Sequence, residues 1–567
     1  MSVTGSTTTR TTTGAQYLAR AIADLGIARV YGVPGQRVLP LFHHLQNTEG
    51  VAVHLTRHEQ GASFMADMDS RAGGFGVVIT TSGPGAINAL TGVAASFTDS
   101  VPLIVITGQA ATHEFGQQGI QEGTGLGRNP DVQAMFAATT KQSIRPMSVA
   151  ELPAAFAELV STATSGRPGP VHLDVPSDLL LDTLPEEWSP DAPGATVPAP
   201  ARAVPEPADV RRLLDDLRAA HRPVVAVGNG IAGRPELQTL LDLCAAERVP
   251  VVNSFIAKRD VDQRHPWVAG TIGVFGMLRA NRLFFEEADL VVALGMSFNA
   301  LTTADWTPLV ARSVVRVDLD TRPVRYAEHV TRTMRADAGE LVTALAEARR
   351  AYPAVGAQER PPLGAPLDDE RGSSTSGLLH PVDVMEVLDG VVERPVTFVS
   401  DIGQNAYWSE RYLHTRGDRR FHINGALGTM GHAVAGALGT YLANLDRGPD
   451  ESVVCICGDG GFLMGALEVS TAVAAGASVV WVVLDNQALG TQLAWFTRGG
   501  LPPVAAELPP VDYVQMAHSQ GAEARTVRTA GELASALDEA LVSRRPTVLH
   551  VPIDPVPAPA PYVRPTP

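Results

Sequence analysis

Cysteine is scarce: Cys244, Cys455 and Cys457 are the only three in 567 residues, and the single Cys-x-Cys lies inside an apolar run. That spacing excludes a disulfide framework and a thiolate zinc site. Lysine is scarcer still, with only Lys141 and Lys258, and the net charge is −16 with a pI near 5.4. Nucleic acid and anionic membranes are excluded as main partners, because phosphate groups attract basic patches. No apolar run reaches the ~20 residues of a membrane span, and the N-terminal MSVTGSTTTRTTTG lacks the apolar core of a signal peptide. These absences lead to the expectation of a cytoplasmic chain with a disordered tail over residues 1–12. Aromatic residues are only 5%, yet apolar residues at 45% against 18% charged describe an ordinary globular protein with a substantial core.

Two stretches rich in Pro, Gly and charge, residues 185–207 and 351–377, have the composition of linkers. They separate segments 13–184, 208–350 and 378–556, followed by a tail over 557–567. Each segment alternates short Val/Ile/Leu runs with longer helical patterns, which predicts an α/β fold of three doubly wound parallel-sheet domains. The first and third segments echo each other. VVITTSGPGAINALTGVAASFTDSVPLIVITGQ and VVCICGDGGFLMGALEVSTAVAAGASVVWVVLDNQ both run strand, glycine turn, Ala-rich helix, strand, as a duplicated βαβ module would.

The chemistry concentrates in GDGG, Gly458 to Gly461, which follows an apolar strand and precedes a helix, with Asn486 at the end of the next strand. Asp459 and Asn486 thereby fall at adjacent strand ends, the crevice where open parallel sheets bind ligands. The glycines let backbone N–H groups approach phosphate oxygens. A carboxylate, an amide oxygen and the Ala488 carbonyl are hard donors suited to Mg²⁺ between two phosphates. A glycine turn with a helix-capping Asp would account for Asp459 alone, but not for Asn486.

This GDG, followed by an Asn, resembles the signature of thiamine diphosphate enzymes. LTRHEQGASFMADMDSRA resembles a stretch of acetolactate synthases, and YGVPGQRVLP, TSGPGAINALTG, GIQE, GQNAYW, LGTMGHA and LGTQLAW follow in the order of the acetolactate synthase and pyruvate oxidase/decarboxylase superfamily. The resemblance spans almost the whole chain. It implies that Pro34, Gly35 and Gly85 in the pyrimidine-binding domain contact the cofactor. In the diphosphate-binding domain it implies the same of Gly403, Gln404, Asn405, Gly428, Met430, Gly458, Asp459, Gly460, Gly461, Asn486, Ala488, Leu489 and Gly490. Asp459, Asn486 and Ala488 would hold the metal. Glu59 would hydrogen-bond the pyrimidine and favour its imino form, a role for which burial would raise its proton affinity. Met430 would wedge the cofactor into a bent shape, although methionine is more often core filler. Gln121 and Trp495 would face substrate, with His113 close by. His58 and the His43–His44 pair have readier structural explanations. By the same resemblance the site forms between two chains of a homodimer or homotetramer.

The middle segment carries a literal G-x-G-x-x-G at Gly228, Gly230 and Gly233, which alone would suggest a dinucleotide-dependent oxidoreductase. GVFGM and DLD fall where flavin-binding relatives contact FAD, but GVFGM departs from their pattern, so the flavin-free reading is preferred and FAD is the alternative. The implied reaction is decarboxylation of a 2-keto acid, pyruvate by expectation, with carboligation of the acyl unit to a carbonyl acceptor. The longer loop GTGLGRNPD, Ile120 in place of the usual Phe, and the missing Arg in GMSFNALTT leave open a specialised acyloin synthase, or a simple decarboxylase or 2-hydroxyacyl lyase.

Overall fold

Strands that are apolar without alternation are buried on both faces, which requires helices on both sides of a parallel sheet. In the computed structural model, which describes residues 11–185, 202–353, 360, 363, 374, 376–391, 395–417, 419–448 and 451–558, this holds for the central strands, while the strands Ala52–Leu55, Gln142–Ile144, Arg332–Arg335 and Glu523–Thr526 are partly exposed. The first sheet contains β1 (Arg29–Val33), β2 (Ala52–Leu55), β3 (Gly76–Thr80), β4 (Leu103–Gln109), β5 (Gln142–Ile144) and β6 (Pro170–Pro176). The second contains β7 (Pro223–Val227), β8 (Val251–Asn253), β9 (Val268–Thr271), β10 (Leu290–Leu294), β11 (Ser313–Asp318) and β12 (Arg332–Arg335). The third contains β13 (Val396–Ser400), β14 (Arg419–Ile423), β15 (Ser452–Gly458), β16 (Val479–Asp485), β17 (Glu523–Thr526) and β18 (Thr547–Pro552). The fold is α/β with three parallel six-stranded sheets, as expected.

Strand order runs β2-β1-β3-β4-β6-β5 in the first sheet and β14-β13-β15-β16-β18-β17 in the third. Counted from each sheet's first strand, these orders are identical, so the sequence echo corresponds to a repeated topology. The second sheet runs β12-β11-β10-β7-β8-β9, the order of dinucleotide-binding folds, with its switch point between β7 and β10.

The chain packs into two compact units, Met1–Pro200 with the first sheet and Ala201–Pro567 with the other two. Within the second unit, Phe255 and Phe275 from the middle segment belong to the apolar core of the third sheet. Residues 1–10 and 559–567, and most of both expected linkers, lie outside the described residues. Thr12 lies within the fold, its carbonyl accepting from Leu184 N–H, and Thr13 caps the helix Gly14–Asp24 reciprocally with Gln16. The three cysteines are buried free thiols. Among the described residues, no helix is long and apolar enough to cross a membrane.

One histidine makes the first unit sensitive to acid. His172 on β6 is fully buried and stacked on Phe136 at 4.0 Å, with the Thr107 hydroxyl 2.9 Å from Nε2 and the Ser143 hydroxyl 2.8 Å from Nδ1. Burial, reinforced by the Arg145 cation, lowers its pKa to about 3. Below the unfolded value of about 6.5 the unfolded chain takes up a proton that the folded chain refuses, so stability falls by about 1.4 kcal/mol per pH unit until the folded value is reached. The urea midpoint should therefore drop between pH 6.5 and 4.5, and His172→Gln should flatten that dependence. Parallel pH profiles for wild type and variant would refute the assignment.

Candidate active site

At the carboxyl end of the third sheet three neighbouring strands each deliver a buried carboxylate: Asp401 after β13, Asp459 after β15 and Asp485 at the end of β16. Asp485 accepts from His550 Nε2 at 2.8 Å and from the Gln487 N–H at 3.0 Å. Burial works against its charge, but His550 and the backbone outweigh it and hold its pKa low. Asp401 accepts from the N–H groups of Gly431 (2.8 Å) and Ala433 (3.1 Å), and burial raises its pKa to about 6. Asp459 is raised further, to about 7, by burial and by the neighbouring charge of Asp485.

The Ala488 N–H donates both to Asp459 Oδ2 at 3.1 Å and to Asn486 Oδ1 at 3.2 Å. Two side-chain oxygens thus converge beside the backbone of Ala488. Among the described residues no three His, Cys, Asp or Glu side chains cluster as metal donors. One carboxylate, one amide oxygen and a carbonyl instead suit a hard cation that takes its remaining ligands from phosphate or water. A divalent cation beside Asp459 would supply the positive charge that its buried carboxylate needs. The residues fit Mg²⁺.

All thirteen residues of the third segment assigned above to the cofactor line one cavity of about 260 Å³. Gln404 begins the helix Gln404–Tyr412, and its Oε1 lies 3.4 Å from Asn486 Nδ2. The Asn405 amide donates inward to the Asp401 carbonyl at 2.5 Å and, at 3.3 Å, to the Ile456 carbonyl, so it ties the ends of β13 and β15 together. Met430 is followed by Gly431, whose φ of +75° and contact with Met464 admit no side chain. Asp401 pins that loop through Gly431 and Ala433. Sequence reasoning missed two wall residues from the middle segment, Phe275 and Leu301. Phe275 packs edge-on against Tyr407 at 4.7 Å. The departures from the family pattern in GVFGM, which holds Phe275, and in GMSFNALTT, which holds Leu301, were the signals that could have found them. Trp495 is not part of this wall: it is 68% exposed, on a helix, Gly490–Arg498, that has no buried residue.

In the first unit, the turn Ser82–Gly85 brings two assigned residues together. A Cβ on Gly85 would lie 3.1 Å from Glu59 Oε1, and one on Gly83 would lie 3.1 Å from Gln121 Cα. Glu59 Oε2 accepts from Asn88 at 3.0 Å. Glu59 is half-buried in the single chain, short of the burial expected for it. Gly35 approaches Thr81 so closely that a Cβ would lie 2.4 Å away, and Pro34 beside it is exposed. Gln121 is exposed and left-handed, with φ of +59°. His113 is exposed on the turn Thr112–Glu114. His58 caps the helix Glu59–Ala72, its ring accepting from Gln60 N–H, and the His43–His44 pair sits on the helix Leu39–Gln46.

The glycine turn after β7 is filled by protein. The amides of Gly228, Gly230, Ile231 and Ala232 already donate to protein carbonyls, and a Cβ on Gly233 would overlap the Arg259 guanidinium. The first turn of the helix Glu236–Ala246 carries Glu236, the wrong sign for a pyrophosphate. Asp318 and Asp320 are paired with Arg316 and Arg322. These residues do not fit a dinucleotide laid across the turn.

Three family models of thiamine pyrophosphate enzymes match the chain: the N-terminal TPP binding domain over residues 12–128, the central domain over 210–345 and the C-terminal TPP binding domain over 401–551. The chain is 30% identical to a protein named probable acetolactate synthase large subunit from Methanocaldococcus jannaschii, over 96% of this chain and 92% of that one. It is 31% identical to the large subunits of two Escherichia coli acetolactate synthases: isozyme 2, over 95% of both chains, and isozyme 3, over 93% of this chain and 92% of the other.

Because Asp401 faces two N–H donors, Asp401→Asn would turn an acceptor toward them into a donor. It should cost about 1–3 kcal/mol in urea unfolding and increase protease cutting in the loop around Met430. Unchanged stability and cleavage would show that the loop does not depend on Asp401.

Proposed function

Since the chain belongs to the thiamine pyrophosphate enzyme family, among its acetolactate synthase-like members, we propose that it takes pyruvate as donor and joins the two-carbon unit left after loss of CO₂ to a second carbonyl compound. The enzyme depends on thiamine diphosphate and couples decarboxylation of a 2-keto acid to carboligation. The observation that carries the site assignment is the convergence of Asp459 and Asn486 oxygens inside the cavity of the third sheet.

In this reading Asp459, Asn486 and the Ala488 carbonyl hold Mg²⁺, and the Gly458–Gly461 turn and Gln404 face the diphosphate. Bound thiamine diphosphate supplies the nucleophilic carbon and stores the electron pair released with CO₂. The chain's own residues bind, orient and exclude water. Met430, held by its anchored loop, presents an apolar side chain to the cavity and supports the cofactor's bent shape. Glu59 keeps one oxygen on Asn88 and presents the other beside Gly85, where it can hold a proton against the pyrimidine ring. Gln121, on the loop 119–122, packs against the same turn at Gly83, placed to meet substrate.

Glu59 and Asp459 are proposed to act together across two chains of a homodimer. In support, the helix Pro84–Asp99 shows solvent an apolar stripe of Ile87, Leu90, Ala94 and Phe97, while Leu463, Met464 and Leu467 stand exposed beside the third-sheet cavity loop. Apolar surface of this kind marks a place for a partner.

With thiamine diphosphate, Mg²⁺ and pyruvate, proton NMR should show pyruvate consumed and acetolactate or acetoin formed, with Glu59→Gln slowed about 100-fold or more. If the cofactor binds but pyruvate persists, another 2-keto acid is the donor. Glu59→Gln and Asp459→Ala chains, each inactive alone, should regain part of the wild-type rate when mixed and allowed to exchange subunits. Mixtures that form folded heterodimers yet stay inactive would rule out a site shared between chains.

A further inference from the structure

The buried cation Lys258 has no part in the reaction described above. It lies on the turn Ile256–Asp260 of the middle segment, is 0% exposed, and reaches into the third segment. Its Nζ donates to the carbonyls of Ser409 at 3.0 Å and Glu410 at 2.6 Å, lies 3.6 Å from Glu410 Oε2, and sits 4.6 Å from the centre of the Phe421 ring. Those carbonyls belong to the last turn of the helix Gln404–Tyr412, where a cation is favoured by the helix dipole; the Ser409 carbonyl also accepts from the capping Leu413 N–H. Glu410 is also 0% exposed. Its Oε2 accepts from the Thr271 hydroxyl at 3.2 Å, at the end of β9, and its Oε1 is buried without a hydrogen-bond partner.

Stability alone does not explain such a pair. Removing an ion pair from water costs several kcal/mol per charge, and apolar residues of similar volume often hold a fold as well or better. What the pair supplies is a unique docking geometry. The other end of the same helix, six residues or about 9 Å from Glu410 at 1.5 Å per residue, carries Gln404 into the cavity. The middle segment that bears Lys258 and Thr271 also supplies Phe275 and Leu301 to the cavity wall, with Phe275 seated against Tyr407 of that helix.

We propose that Lys258 and Glu410 are positioning residues: together they latch the middle sheet to the C-terminal end of the Gln404–Tyr412 helix and so set where Gln404 and Phe275 meet the cofactor cavity. This rests on the reading of that cavity as the thiamine diphosphate site. Lys258→Met alone strands the Glu410 carboxylate in the core and should destabilise the protein. The informative variant is therefore the double substitution Lys258→Met with Glu410→Leu, which leaves no buried charge.

Calorimetric titration of the full-length protein with thiamine diphosphate at saturating Mg²⁺ is the test, beside thermal unfolding and steady-state kinetics. The double variant should unfold cooperatively near the wild-type temperature, bind thiamine diphosphate about tenfold more weakly, and keep its kcat once cofactor is saturating. Thr271→Val, which removes one bond to Glu410 and one from the Asn253 amide and leaves both charges, should weaken binding about threefold and decides the matter should the double variant fail to fold. Wild-type affinity in a folded double variant, or in Thr271→Val where only that variant folds, overturns the latch. Failure of the wild-type protein itself to bind thiamine diphosphate would instead overturn the reading of the cavity.

Discussion

Charge buried at the end of a parallel sheet is the constraint on which the third segment is built. Asp401, Asp459 and Asp485 stand at the ends of three adjacent strands, and none can remain ionised there without help. Each is treated differently. Asp485 receives His550, Asp401 receives two N–H groups from the start of the helix His432–Asn444, and Asp459 receives the N–H groups of Gly460 and Ala488 but also faces the charge of Asp485. The order of their proton affinities follows that provision, with Asp485 held low, Asp401 near 6 and Asp459 near 7. A cation is what the least provided of the three still calls for. The same carboxylates organise the loops around it, since Asp401 fixes the chain after Met430 and Asp459 draws Ala488 toward itself.

Repetition and exception both follow from strand order. The first and third sheets share one order, so equivalent turns arise at equivalent strand ends: Ser82–Gly85 after β3 and Gly458–Gly461 after β15. One turn is set against a Glu and the other carries an Asp, so the proposed division of proton handling from phosphate and metal binding would fall on two turns of one topology. The middle sheet has the order of a nucleotide-binding fold, but its glycine turn is occupied by protein contacts. Its edge segment instead packs on the third sheet, where Phe255 and Phe275 enter that core. A topology suited to one ligand has become a wall for another, consistent with function lying in sites and not in folds.

Much of this was legible in the residues. Many strand positions followed from unbroken apolar runs, and one end of the cavity followed from GDGG because ligand contacts in parallel sheets come from loops at strand ends, where glycine is needed for close approach; GQN and LGTM were assigned through the family resemblance. What was not legible depends on contacts between distant residues. Lys258 meets Glu410 across 152 positions of sequence, and no local pattern pairs a Lys with a helix end that far away. Phe275 and Leu301 reach the cavity only because two sheets dock. Asn405 read as a ligand, yet its amide group braces two strands. The exposure of Trp495 and the half-burial of Glu59 have another origin, for residues matched to a family motif take their surroundings from everything packed around them, including any second chain.

Whether the acyl unit left by decarboxylation would be protonated or joined to a carbonyl acceptor depends on the proton donors within its reach. Phe275, Leu301, Tyr407, Met430, Leu484 and Ile553 supply an apolar flank to the cavity. No acid or base among these six is positioned to deliver a proton quickly: the Tyr407 phenol is the only ionisable group, and burial raises its pKa further. These residues would offer no fast proton donor to an acyl unit held beside them, so a carbonyl acceptor within reach would have the kinetic advantage. Carboligation is thus favoured less by any group that promotes it than by the absence, on this flank, of groups that would end the reaction early.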